Sequence, residues 1–402
     1  MDNPQVIGSA IALNLLIHVP LVAGCAITLV DVLIILLFYS PNGSMRRLRA
    51  FEFFVMALVL GVVVCFCIQL SLIRNISVGE VFRGYLPSST LVQSQGLYLS
   101  CGILGATVMP HSLYLGSGIV QSRLRAYDAK NATANALNPS TTPDSDPRPS
   151  TASSTFSSDT VLSPPYRPTL SAIRFSLNYS IAEIAISLFT FALFVNSAIL
   201  IVAGASLSSN EDAKDANLFA IHDLLSSTLA PAAGTIFALA LLLSGTSAGI
   251  VCTIAGQIVS EGALNWSCAP WMRRLITRSI SITPSIIIAA AVGKNGLSKA
   301  LNATQVVLSV LLPFVSAPLI YFTCRNKYMT VHATRDDLTN STQTERDIDS
   351  AASGPRDPTA DGPEIVVKMR NHWSIALVAV LIWGVITLMN IALLVLIGMG
   401  KV

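Results

Sequence analysis

The run Gly105-Ala106-Thr107-Val108-Met109-Pro110-His111-Ser112-Leu113-Tyr114-Leu115-Gly116-Ser117 gathers three kinds of chemistry into one turn of an apolar segment. Pro110 has no backbone N–H, so in a helix it leaves the carbonyl of Ala106, four residues back, without its usual donor. A bare carbonyl in hydrocarbon costs several kcal/mol and persists only where protein buries it or it lines a polar cavity. Met109 adds a polarizable thioether, and His111 an imidazole that titrates near neutral pH. An open carbonyl, a sulfur and a proton acceptor inside a membrane read as an ion site. Each residue also has an ordinary reading, Met109 as a gap filler and His111 as a hydrogen-bonded core histidine.

Other polar residues interrupt apolar runs. Gln305 lies in Leu301-Asn302-Ala303-Thr304-Gln305-Val306-Val307-Leu308. It reads either as a carbonyl ligand or as an interhelical hydrogen-bonding group. Pro313 and Pro318 follow on the same run and predict a bend. Asn196 either lines a gate or bonds across helices. Asp31 and Glu183 are carboxylates inside or at the edge of apolar runs, read as functional groups or as paired anchors. Thioether sulfur favours transition metals over Ca²⁺ and Mg²⁺, which take oxygen shells.

These groups need helices to hold them. The chain has 402 residues, 52% hydrophobic and 12% charged, with mean hydropathy +0.63. A soluble domain carries about 25% charged residues, so the composition is that of a polytopic membrane protein. About nine apolar runs approach the length that a bilayer core demands. They lie near 6–19, 21–39, 51–73, 97–120, 177–205, 231–258, 276–292, 301–323 and 375–399. The first is short and begins close to Met1. No cleavable signal peptide is visible, because the first run leads into further spans.

Most of the 25 Lys and Arg residues fall in alternate loops, around Arg46, Arg123, Arg273 and Arg325. That bias puts the N-terminus in the cytoplasm and the C-terminus outside or in a lumen. The expected organisation is four spans over 1–125, including the broken Met-Pro-His helix, and a disordered cytoplasmic loop over 126–170. Four more spans follow over 171–323, then a polar cytoplasmic loop over 324–371 and a last span over 372–402. The two loops are too polar to bury a core. Asn75-Ile76-Ser77 is a glycosylation sequon on the outer side, whereas the triplets at Asn42, Asn131 and Asn340 fall inside.

The seven cysteines form no Cys-x-x-Cys pair and read as small apolar packing. The chain has no phosphate loop, no His-Glu-x-x-His and no Gly-x-Ser-x-Gly, so nothing in it supports an enzyme.

The stretch Gly105–Ser117, with Val120-Gln121-Ser122-Arg123, resembles the sixth transmembrane helix of Nramp transporters, proton-coupled divalent-metal carriers of the LeuT-like inverted-repeat fold. Residues 6–16 resemble the family's third helix. Gly256-Gln257-Ile258-Val259-Ser260-Glu261-Gly262 resembles the end of its eighth, and 304–314 its tenth. The resemblance implies an all-α fold in which the Ala106 carbonyl and Met109 sulfur bind metal, joined by Gln305 in the occluded state. It also implies that Thr107 and Asn196 stand near the outer gate. Asp2 and His111 would lie on a proton route, with Arg273 and Arg274 beside it.

The chain departs from that pattern. The family's first two helices, including the Asp-Pro-Gly-Asn motif that supplies metal ligands, have no counterpart in it. Gln5 stands where the family has a proton-pathway glutamate, Ser112 replaces an asparagine, Gly116 a histidine and Thr246 a glutamine. Without a carboxylate, a dehydrated divalent ion would be poorly compensated. The expectation is therefore proton-coupled transport of Mn²⁺ or Fe²⁺ toward the cytoplasm, impaired in this N-terminally truncated chain. Two alternatives are a non-transporting regulatory or assembly partner of longer transporters, and a carrier of a different divalent cation. The expected partners are the lipid bilayer, metal ions and a homo- or hetero-oligomer, with no nucleic acid and no resident cofactor. The expected location is the plasma membrane or an endosomal or vacuolar membrane.

Overall fold

The computed structural model describes residues 3–37, 45–73, 77–110, 112–137, 166–207, 216–264, 270–291, 293–333 and 365–401. Asp2, His111 and the sequon residue Asn75 lie outside the described residues, as do Asn42, Asn340 and most of the two polar loops. Among the described residues each apolar run lies mainly on helix. In chain order these are α1 (Asn3–Ile17), α2 (Leu21–Leu37), α3 (Met45–Leu72), the short α4 (Val78–Gly84), α5 (Ser94–Thr107) and α6 (Ser112–Leu137). Then come α7 (Leu170–Ser187), α8 (Leu193–Leu207), α9 (Leu218–Thr228), α10 (Pro231–Leu264), α11 (Pro270–Ala291), α12 (Gly293–Thr323) and α13 (Trp373–Gly398). A single π-helical turn, Leu188–Ala192, joins α7 to α8.

Six helical segments among the described residues are long and apolar enough to cross a membrane. They are Arg49–Leu72, Ser94–Asn131, Leu170–Leu207, Pro231–Ser260, Ser298–Thr323 and Trp373–Gly398. The other three runs lie on α1, α2 and α11.

The chain divides into two compact units. The first comprises Met1–Gly118, Glu183–Tyr328 and Arg370–Val402. Its centre is α1, the short first run of the sequence. Val6, Ile7, Ala10, Ile11 and Ala12 are buried there, and so are the polar Gln5 and Ser9. A helix buried on every side needs no amphipathic stripe, which is why this run shows none. Small residues let its neighbours come close. A Cβ at Gly24 of α2 would stand 3.1 Å from the Ala10 backbone, and one at Gly245 of α10 would overlap Ser9 Oγ. The core around α1 takes Cys25 from α2, Phe219 from α9, and Ile282 and Ala289 from α11.

A second layer of that unit joins α5, α12 and α13. Ser309 Oγ of α12 donates to Asn390 Oδ1 of α13 at 3.0 Å, with both residues buried. Pro313 and Pro318 each remove one hydrogen bond from α12. Carbonyls in that stretch accept from outside the helix: Trp383 Nε1 donates to the Pro313 oxygen at 2.9 Å, and the Tyr114 hydroxyl to the Val315 oxygen at 2.7 Å. The carbonyls that lose a donor to these prolines are those of Ser309 and Phe314, four residues back; the Trp383 and Tyr114 bonds instead tie α12 to α13 and to α6.

The second unit comprises Ile119–Ala182 and Met329–Met369. It departs from the expected loops in two ways. Helix α6 runs on to Leu137 through the alanine- and lysine-bearing stretch after Ala126, residues with good helical propensity. The edges of the later loop pair as an antiparallel ribbon, β1 (Thr330–Ala333) with β2 (Ile365–Lys368), in the register Thr330 to Lys368 and Ala333 to Ile365. Val331, Val367 and Met369 pack on buried Leu170. Asp128 ties this unit together, accepting from the Tyr166 hydroxyl, the Thr169 hydroxyl and, at 3.3 Å, the Thr169 N–H.

Candidate metal site

The break expected at Pro110 is present. Helix α5 stops at Thr107, and Val108 leaves helical geometry with φ −110 and ψ 90. The Val108 N–H still donates to Leu104 at 2.9 Å, and the chain re-enters a helix where the Ser112 N–H donates to Met109 at 3.0 Å. Between these points Pro110, itself buried, has no hydrogen to give to the Ala106 carbonyl.

Met109 projects from this break and is half-buried. Two side chains from other helices meet its sulfur. Gln5 Nε2 of α1 lies 3.6 Å from Met109 Sδ, and Cys252 Sγ of α10 lies 3.5 Å from it. The Gln5 residue is 6% exposed, and its Oε1 is buried with no hydrogen-bond partner.

Gln305 lies on α12, which packs against α5 just before the break. Gly105, the residue before Ala106, sits directly against the Gln305 carbonyl, so close that a Cβ there would overlap it. Gln305 Oε1 is also buried without a partner. Gln5 Oε1, beside the thioether, and Gln305 Oε1, on the helix packed against α5, are thus two buried amide oxygens without a donor, each an unmet demand in a low-dielectric setting.

The remaining sequence candidates are placed less centrally. Thr107 is exposed, and its hydroxyl turns back to the Ile103 carbonyl at 2.8 Å. Asn196 is exposed on α8, which packs on α3 and α9. No described hydrogen bond joins either residue to Met109. Glu183 is exposed on α7, while Asp31 lies on α2 with its side chain outside the described set, as are the side chains of Arg273 and Arg274. Among the described residues no three His, Cys, Asp or Glu side chains converge. The donor set is therefore thioether, thiol, amide and backbone carbonyl.

Sequence reasoning gave Cys252 no chemistry and treated Gln5 as a replaced glutamate, a position that a carrier of a different cation could use. The available signal is weak. Thr246, Thr253 and Gln257 make a polar stripe at helical spacing on α10, and Cys252 adjoins it.

The family profile described as natural resistance-associated macrophage protein-like, Nramp, matches residues 1–339. The chain belongs to the Nramp family. Over 99% of its length this Nramp chain is 47% identical to the manganese transporter SMF1 of Saccharomyces cerevisiae, covering 70% of that protein. It is 46% identical to the iron transporter SMF3 of the same yeast, across 97% of this chain and 76% of the relative. A crystal structure of a mutant Eremococcus coleocola manganese transporter superposes with TM-score 0.65 at 26% identity, across 97% of this chain and 67% of that one. The helical Nramp fold and an integral membrane protein follow from these likenesses together with the apolar helices.

Proposed function

We propose that this Nramp-family chain carries a divalent transition-metal ion, Mn²⁺ or Fe²⁺, across a membrane toward the cytoplasm. The observation that carries the reading is Met109, set on a broken helix with its sulfur against Gln5 and Cys252 and with unpartnered Gln305 Oε1 on the facing helix. The proposed ligands are the Ala106 carbonyl, Met109 Sδ and Gln305 Oε1. The names of the yeast relatives, a manganese and an iron transporter, support the same cargo. A thioether disfavours Ca²⁺ and Mg²⁺, which are abundant and hard.

The site also suits transport in its strength. Its described donors are uncharged, so the dehydrated ion is held weakly enough to leave again. Asp2 and His111 are proposed for the accompanying proton, and Thr107 and Asn196 for the outer gate. The arginine-rich loops favour a cytoplasmic N-terminus.

The test is Mn²⁺ entry into liposomes that hold the purified chain and an internal Mn²⁺-quenched dye. Saturable entry that Fe²⁺ competes with, that Mg²⁺ leaves alone and that Met109→Leu reduces is the expected result. Correctly inserted protein that admits no more Mn²⁺ than empty liposomes would overturn the proposal.

A further inference from the structure

The sulfur of Cys252 lies 3.5 Å from that of Met109, with Cys252 2% exposed at the middle of α10. A buried cysteine alone is ordinary packing. The second observation is on the opposite helix. Gln5, also buried, lays its amide on the same Met109 sulfur and leaves Oε1 without a partner. Turning that amide about its last torsion exchanges Nε2 for Oε1, a soft rotation about a terminal sp³–sp² bond. The orphaned oxygen then faces the sulfurs and the N–H leaves them.

The spacing of the sulfurs suits a shared ion. With metal–sulfur bonds of about 2.3 Å, two sulfurs at this separation subtend about 100° at an ion between them. That angle lies between octahedral and tetrahedral values, so neither helix has to move far. Gln5 Oε1 would supply an oxygen from the α1 side, which the two sulfurs leave open.

We propose that Cys252, with Gln5 Oε1, is a further ligand at the Met109 site and sets its preference for soft cations such as Cd²⁺ over Mn²⁺. This rests on the metal-carrier reading of Met109 and adds to it a second sulfur that decides which divalent ions compete. When Cys252 binds the ion its thiol proton leaves to water, as cysteine ligation requires. Sulfur pairs rank soft cations above Mn²⁺, whose ligands are mainly carboxylate, carbonyl and water.

The experiment uses the purified full chain with Cd²⁺ and Mn²⁺ as the only probes. Cd²⁺ binding is followed by sulfur-to-metal ultraviolet absorption, and both affinities by calorimetry. In the unaltered chain, Cd²⁺ is expected to raise an absorption band that excess Mn²⁺ bleaches. In Cys252→Ser and Cys252→Ala the band is lost, and the ratio of Cd²⁺ to Mn²⁺ affinity falls roughly tenfold. Met109→Leu weakens both ions.

Three results overturn the inference. If the band and the affinity ratio survive both Cys252 substitutions while Met109→Leu weakens binding, the thiol is not a ligand, although the carrier reading stands. If Mn²⁺ fails to bleach the band in the unaltered chain, the thiol that binds Cd²⁺ lies elsewhere, a result that needs no variant to fold. If neither ion binds saturably, the carrier reading fails with it.

Discussion

Gly105 and Gln305 meet backbone to backbone: the α-carbon of Gly105 on α5 rests against the main-chain oxygen of Gln305 on α12, with the Ser309 N–H just beyond it. Any side chain at Gly105 would occupy the space of that carbonyl. The contact joins the end of the broken helix to the helix bearing a proposed ligand, so the fold and the site share one pressure point.

Gly105→Ala is therefore expected to push α5 and α12 apart, costing about 1–3 kcal/mol as an overpacked core does. Gly102→Ala, one turn earlier, is the control, because its new Cβ would stand 3.7 Å from Val306 Cγ2 in ordinary contact. Thermal unfolding in detergent should show a lowered midpoint for Gly105→Ala and little change for Gly102→Ala. Equal midpoints for the two variants would refute the close approach.

Met109→Leu keeps the volume and removes the sulfur. Discrimination between Mn²⁺ and Ca²⁺ should fall by about tenfold, since the thioether no longer disfavours the harder ion. Competition by Ca²⁺ against Mn²⁺ entry into liposomes measures it. Unchanged competition would mean that the sulfur does not touch the ion.

Asn390→Leu removes the Asn390 acceptor of the Ser309 hydroxyl, whose hydrogen bond links α12 and α13. Interhelical hydrogen bonds in membranes average about 0.6 kcal/mol and reach about 1.7. The expected loss lies in that range, and Ser309→Ala combined with Asn390→Leu should recover part of it. A double-mutant cycle on unfolding midpoints reads the coupling, and strict additivity would deny it.

In the second unit, burial first and then the hydrogen bond to Asp128 push the Tyr166 phenol up to about 12, against a partial opposing pull from Arg125. The folded value lies above the ordinary tyrosine value near 10. The stabilisation is therefore complete below about pH 10 and is lost as pH rises through about 12. Comparing tyrosinate absorbance of the unaltered chain with that of Tyr166→Phe isolates this group. Asp128→Asn should lower its midpoint, and a midpoint near 10 in the unaltered chain would contradict the contact.

The membrane class, the helices and the break at Pro110 were legible in the sequence because they depend on local chemistry. Apolar length decides whether a segment spans, and a missing N–H decides where a helix fails. Met109 stood out for the same reason, being a soft donor one residue from that failure. The ribbon of β1 and β2 was not legible, since the pairing joins residues from Thr330 to Lys368 across a polar stretch with no strand pattern of its own.

The surroundings of Met109 were decided by the tertiary structure alone. Gln5 is 104 residues away in the chain and Cys252 143 residues away, yet both reach one sulfur. Periodicity cannot reveal this. Helix α1, buried on every side over residues 4–12, carries no stripe to say which face meets which neighbour. The rotation of α1 and α10 about their axes is set by glycine contacts such as Gly245 on Ser9, and that rotation turns a glutamine and a cysteine toward the break.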